Sequence, residues 1–120
     1  MLKDRQYTTS EVQHQRGLVP DYESATVADF SPGPWWGFNG VRTLVLTAER
    51  LHVLQRGLVS RRLRSQRTLS VADIDSVKWS TTDMVVHMTV TIGHGKRRYA
   101  SKYQQGADLA DGLARQTSPV

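Results

Sequence analysis

Met84, Val86, Met88, Val90 and Ile92 share one parity, while His87, Thr89 and Thr91 share the other. Side chains alternate between two faces in an extended strand, so 84–92 reads as a half-buried antiparallel strand with one face on a core. Around it the chain is punctuated at short intervals. Residues 41–47 and 51–56 read as two strands joined by the tight turn Thr47-Ala48-Glu49-Arg50, and Gly57 offers a bend. A basic strand follows from about Val59 to Leu69. Val71-Ala72-Asp73 is a short connection to a strand from Ile74 to Ser80. Gly93-His94-Gly95-Lys96 reads as a hairpin loop, with Arg97 to Ala100 as the returning strand.

Upstream, residues 23–30 have strand composition. Residues 31–40 hold two Pro and three Gly in ten positions and read as a loop, although they carry Trp35, Trp36 and Phe38. Ser101 and Gln104 form a capping-box signature, and Leu109 and Leu113 fall at i and i+4 beside Ala110 and Ala114. One amphipathic helix over roughly 102–115 is expected, interrupted by Gly106 and Gly112. Residues 1–22 read as a polar, partly ordered arm. Ser10 and Gln13 would open a short helix there, ending at Gly17. The expected domain spans 23–116, and 117–120 is a tail.

Up to seven short strands and one C-terminal helix, spaced about ten residues apart, predict a mainly β sandwich or partly open barrel. The helix has one apolar stripe and must bury it against the β structure. A length of 120 residues suits one domain. The absence of cysteine excludes disulfides, thiolate zinc sites and thiol nucleophiles. No apolar run reaches the roughly 18 residues of a membrane span, and Met1-Leu2-Lys3-Asp4-Arg5 leads into no apolar stretch, so neither a span nor a secretory leader is expected. These features fit a cytoplasmic protein.

Leu44-Val-Leu-Thr-Ala-Glu-Arg-Leu-His-Val-Leu54 resembles the signature of bacterial pleckstrin-homology-like domains, in which a Thr-x-x-Arg-Leu turn joins two strands. Leu69-Ser-Val-Ala-Asp-Ile-Asp-Ser-Val-Lys78 resembles the family's later "I..V" segment. The Gly93 hairpin and the closing helix follow in the family's order, so the resemblance covers about 23–116. It implies a bent seven-stranded sandwich or partly open barrel capped by the C-terminal helix, with no shared active site. Thr47 and Arg50 match the motif as turn-forming residues. The loop 31–40 departs from it in being longer and more aromatic.

The charge is segregated. Six Arg and no acid lie between Arg50 and Arg67, and Lys96, Arg97, Arg98 and Lys102 lie without an acid between His94 and Lys102. Those 27 residues carry +10, so the net charge of +5 leaves −5 on the other 93. Clustered guanidinium groups suit phosphate-bearing partners because they bind phosphate bidentately. The resemblance further implies that the loops after the first, third and sixth strands meet at one end. The candidate binding residues are therefore Trp35, Trp36 and Phe38, then Arg56, Arg61, Arg62 and Arg64, then Lys96, Arg97 and Arg98. Trp35 and Trp36 fit two roles, closing a lean core or touching a ligand. Surface Arg on strands also guards against edge pairing.

His14, His52, His87 and His94 lack metal-ligand spacing, and His52 and His87 read as core or sheet-surface residues. Asp73 and Asp75 read as turn or cap residues. No nucleophile elbow or phosphate cradle occurs, so no catalytic residue, metal or cofactor is expected. The sequence favours a non-catalytic interaction module. Its partner would be another protein or a second copy of the chain. Anionic lipid headgroups, with Trp insertion, are the alternative. Nucleic acid on the basic strand ranks third, since no aromatic residue interleaves that strand to stack bases.

Overall fold

The computed structural model describes residues 2–32, 41–56 and 63–117. The elements are α1 (Thr9–Leu18), β1 (Thr26–Pro32), β2 (Arg42–Leu46), β3 (Arg50–Arg56), β4 (Leu63–Ser70), β5 (Ser76–Thr82), β6 (Val85–Ile92), β7 (Gly95–Ser101) and α2 (Gln104–Thr117). Single 3-10 turns at Tyr22–Ser24 and Val71–Asp73 complete the order. The expected class is observed: a mainly β chain with a C-terminal helix.

The alternation of β6 buries Val86, Met88 and Val90 and exposes His87. Met84 does not belong to that strand. Thr82 pairs with Val85, so Asp83 and Met84 form a two-residue turn, with φ of 51° and 63°. Successive positive φ values are the geometry of a type I′ hairpin turn, whose twist matches the flanking strands and which favours Asn-Gly or Asp-Gly. Methionine is strained there, and the residue is 51% exposed. Met84→Gly is expected to raise stability by roughly 0.5–1 kcal/mol, because relief of left-handed strain outweighs the entropy of glycine. An unchanged or lowered urea midpoint would contradict this account.

The strands form one antiparallel sheet in the order β4-β3-β2-β1-β7-β6-β5. Strand β1 serves both halves: Thr26–Phe30 pairs with β2, while Ser31 and Pro32 pair with β7. Strands β4 and β5 are the edges, and the sheet does not close between them. The β2–β3 turn is held by Thr47, whose N–H donates to the Arg50 carbonyl at 2.9 Å and whose Oγ1 accepts from the Arg50 N–H at 3.2 Å.

The main core lies between the two halves of the sheet and under α2. Ala28, Phe30, Leu44, Leu46, Leu51 and Val53 meet Val86, Met88, Val90 and Tyr99 there. Leu109, Ala110 and Leu113 bury the stripe of α2 in the same cluster. Each of the large side chains contributes roughly 1.5–3 kcal/mol of burial. Phe30 and Tyr99 pack edge to face, with ring centroids 6.1 Å apart.

Both caps differ from expectation. Helix α1 starts earlier, at a capping box of Thr8 and Glu11: Thr8 Oγ1 accepts from the Glu11 N–H at 3.2 Å, and Glu11 Oε1 from the Thr8 N–H at 3.0 Å. Glutamate outcompetes Gln13 because its charge also complements the helix N-terminus. The helix then runs past Gly17 to Leu18. At α2, Ser101 is the buried end of β7, and its Oγ accepts from the Tyr103 N–H at 3.2 Å. The Gln104 N–H instead donates to the Lys3 carbonyl at 2.7 Å.

The N-terminal segment is therefore built onto the sheet. Lys3 bridges in parallel to Tyr103, and the Arg5 main chain exchanges two hydrogen bonds with the Gln105 side chain, at 2.9 and 2.7 Å. Further on, Val19 joins Val45 and Leu54 in a second apolar cluster on the opposite face of β2 and β3, flanked by Leu18, Tyr22 and Val27. That half of the sheet is covered on both faces.

Candidate functional site

Register decides which cations meet. Phe30 faces Arg42, Arg42 faces Gln55, and Gln55 faces Arg64. Directly opposed residues share a sheet face, so Arg42 and Arg64 stand on the face that carries Phe30, toward the core. Pro32 pairs with Tyr99, which brings the start of β7 to the same end. There β1 and β3 finish, and β2, β4 and β7 begin. Trp35, Trp36, Phe38, Arg61 and Arg62 lie outside the described residues, as does the side chain of Arg56, the last residue of β3.

The run Lys96-Arg97-Arg98 is divided by the pleat. The β6–β7 connection is a two-residue turn, Gly93-His94, with Gly93 at φ 58°, so Lys96 lies on β7 and not in a loop. Arg97 opposes buried Val90 and shares the core-facing side with Tyr99. Burial raises the Tyr99 phenol, while the charges of Arg97 and Arg42 and a hydrogen bond from Arg97 pull it the other way. Arg42 thus belongs with Arg97 at the rim of the core. Sequence reading passed it over because it lies outside both basic runs. Lys96 and Arg98 stand on the other face, opposite Thr91 and Thr89. Arg64, Lys96, Arg97 and Arg98 are all exposed. Of these five cations, Arg42, Arg64 and Arg97 stand on the core-facing side as a rim, and Lys96 and Arg98 on the outer face.

A second polar cluster is structural. Asp29, only 8% exposed, accepts from Arg5 Nε at 2.9 Å, the Tyr7 hydroxyl at 2.8 Å and Thr43 Oγ1 at 2.9 Å. Arg5 also pairs with Glu11 at 2.8 Å. Burial, then the Asp29 charge, pushes the Tyr7 phenol far above its ordinary range, so it stays a donor. Hydrogen bonds to Thr8 and Arg5 hold Glu11 below the usual carboxylate range. This network fastens the N-terminal segment to β1 and β2.

His52 is buried on β3, its Nδ1 3.4 Å from Thr68 Oγ1, at one side of a groove of about 500 Å3 lined also by Pro20, Asp21, Thr47, Glu49 and Arg50. Burial, then Arg50, lowers its pKa from the ordinary histidine value. His87 is exposed on β6. Asp75 accepts from the Gly93 N–H and ties the start of β5 to the hairpin. Among the described residues, no group of three or more His, Asp or Glu side chains is arranged to hold a metal. Nor is any helix among them long and apolar enough to cross a membrane. Comparison with protein-family models and with curated protein sequences returned no match.

Proposed function

We propose that the chain is a non-catalytic binding module whose cationic rim engages an acidic segment of another protein. The observation that carries this reading is the placement of Arg42, Arg64 and Arg97, from three different strands, on the same side of one sheet end. The resemblance to bacterial pleckstrin-homology-like domains agrees with a ligand-binding role for it. Guanidinium groups grip carboxylates bidentately, and a row of them along one sheet end suits successive carboxylates of an extended acidic segment. Like charge repels a second copy of the same surface, which favours an acidic partner over self-association there.

The test compares two variants that lose the same charge: Arg64→Gln/Arg97→Gln at the rim and Lys78→Gln/Arg98→Gln away from it. Binding of a fluorescent Glu-rich peptide, read by anisotropy, should weaken about tenfold or more in the rim variant and less than threefold in the other. Equal weakening, or no binding by the wild type, would overturn the reading.

A further inference from the structure

The outer face of β5, β6 and β7 carries a second cationic surface. Ser76, Thr91 and Lys96 form one row across the three strands. Lys78, Thr89 and Arg98 form the next, and Ser80 and His87 begin a third. No carboxylate stands on these rows. Lys78, Lys96 and Arg98 are exposed, and none makes an ion pair among the described residues. Among the described residues, no ion-pair partner offsets their charge. Asp75, which precedes Ser76 at the start of β5, accepts from the Gly93 N–H.

Strand spacing sets the geometry. Lys78 and Arg98 are two strands apart, about 10 Å, and Lys96 lies about 7 Å along the strand from Arg98. The three cations form a flat triangle with hydroxyls between its corners. Arg, Lys, Ser and Thr are the side chains that donate to phosphate oxygens. Phosphates of each duplex strand recur every 3.4 Å or so of helix axis, so a triangle of this size faces two or three successive phosphates of one strand.

We propose that this face docks the phosphate backbone of double-stranded nucleic acid without reading its sequence. The composition of the face separates this ligand from others. The rows carry no Phe, Tyr or Trp, and His87 is the single ring on them, too few to stack the successive bases of a single strand. The apolar residues on them are Val85 and Ala100, which give nothing to insert into a bilayer. The sequence pI of about 10.0 adds long-range attraction toward any polyanion. The surface is distinct from the core-facing rim assigned to an acidic protein, so the two sites fail or succeed separately.

The experiment titrates a fluorescent 20-base-pair DNA duplex into the full chain at 50 to 200 mM salt, with the equal-charge variants above. Lys78→Gln/Arg98→Gln should weaken binding about tenfold and lower the slope of log affinity against log salt by about 2, one per lost phosphate contact. Arg64→Gln/Arg97→Gln should change affinity less than threefold, and a second duplex of unrelated sequence should bind equally. Circular dichroism melts establish that both variants remain folded. Equal loss in the two variants would reduce the effect to net charge and overturn the proposal. So would tighter binding to phosphatidylserine vesicles than to duplex, a preference for a single strand, or no duplex binding at 50 mM salt.

Discussion

Asp29→Ala is expected to destabilise the fold by about 3 kcal/mol, roughly 1 kcal/mol for each of the three hydrogen bonds its carboxylate accepts. The reason lies in what is left behind. The Arg5 guanidinium, the Tyr7 hydroxyl and Thr43 Oγ1 all donate to this one carboxylate. Alanine would strand three donors under the N-terminal segment, and an unsatisfied buried donor costs more than a made hydrogen bond returns. Tyr7→Phe removes one donor and leaves the carboxylate two others, so a loss of about 1 kcal/mol is expected. The urea midpoint measures both. Limited proteolysis adds a local readout: in Asp29→Ala, cleavage before residue 22 should accelerate more than cleavage in β6. A loss below 1 kcal/mol, or uniform proteolytic sensitivity, would show that the network does not fasten the segment.

Two glycines of α2 should respond with opposite signs. A Cβ at Gly106 would lie 2.5 Å from Cβ and Oγ of Ser101, and 3.5 Å from Cζ of Phe30. Ser101 Cβ is fixed to the backbone of β7, so the helix must move away from the strand. Gly106→Ala is expected to cost about 2–3 kcal/mol by overpacking, even though alanine is the better helix former by about 1 kcal/mol. At Gly112 the nearest atom to a new Cβ is Leu46 Cδ2 at 3.5 Å, ordinary van der Waals contact. Gly112→Ala should therefore keep most of that propensity gain and stabilise by roughly 0.5–1 kcal/mol. Thermal melts of the two variants decide the matter, with Gly106→Ala lower by roughly 10 °C. Similar melting temperatures for both would mean that α2 is not seated on β7 as described.

These two glycines show where sequence reading stopped. Both interrupt an amphipathic pattern, and no local signal distinguishes them. The helix itself was legible from Leu109 and Leu113. The close contact of Gly106 arises from a strand end five residues earlier, folded back by the Ser101–Tyr103 corner. Caps behaved alike. Ser10 with Gln13 and Thr8 with Glu11 are both acceptable boxes, and charge at the helix N-terminus decides for Thr8 and Glu11. At α2 the main chain of Lys3 supplies the acceptor that the local sequence does not.

The candidate site divides in the same way. Two acid-free basic runs were visible as composition. Lys96, Arg97 and Arg98 read as one unit, because adjacency in sequence says nothing about which face of a strand a side chain takes. The period of two sends Arg97 to the rim with Arg42 and Tyr99, and sends Lys96 and Arg98 outward toward Lys78. Neither Arg42 nor Lys78 stands in a basic run, so only strand pairing could enlist them. Asp29 went unmarked for a related reason: a lone acid in a strand pattern gains its meaning from Arg5 and Tyr7, more than twenty residues away.

By itself the sequence determined the mainly β class, the C-terminal helix and the turn between β2 and β3. Hydrophobic period and turn chemistry are local properties, carried by neighbouring residues. Only the tertiary structure decided register, the faces on which the charges stand, the helix contact that requires Gly106 and the docking of the N-terminal segment. Each of these depends on pairings between residues far apart in the chain. Their energy comes from burying apolar surface and satisfying buried polar groups together, which no short window of sequence records.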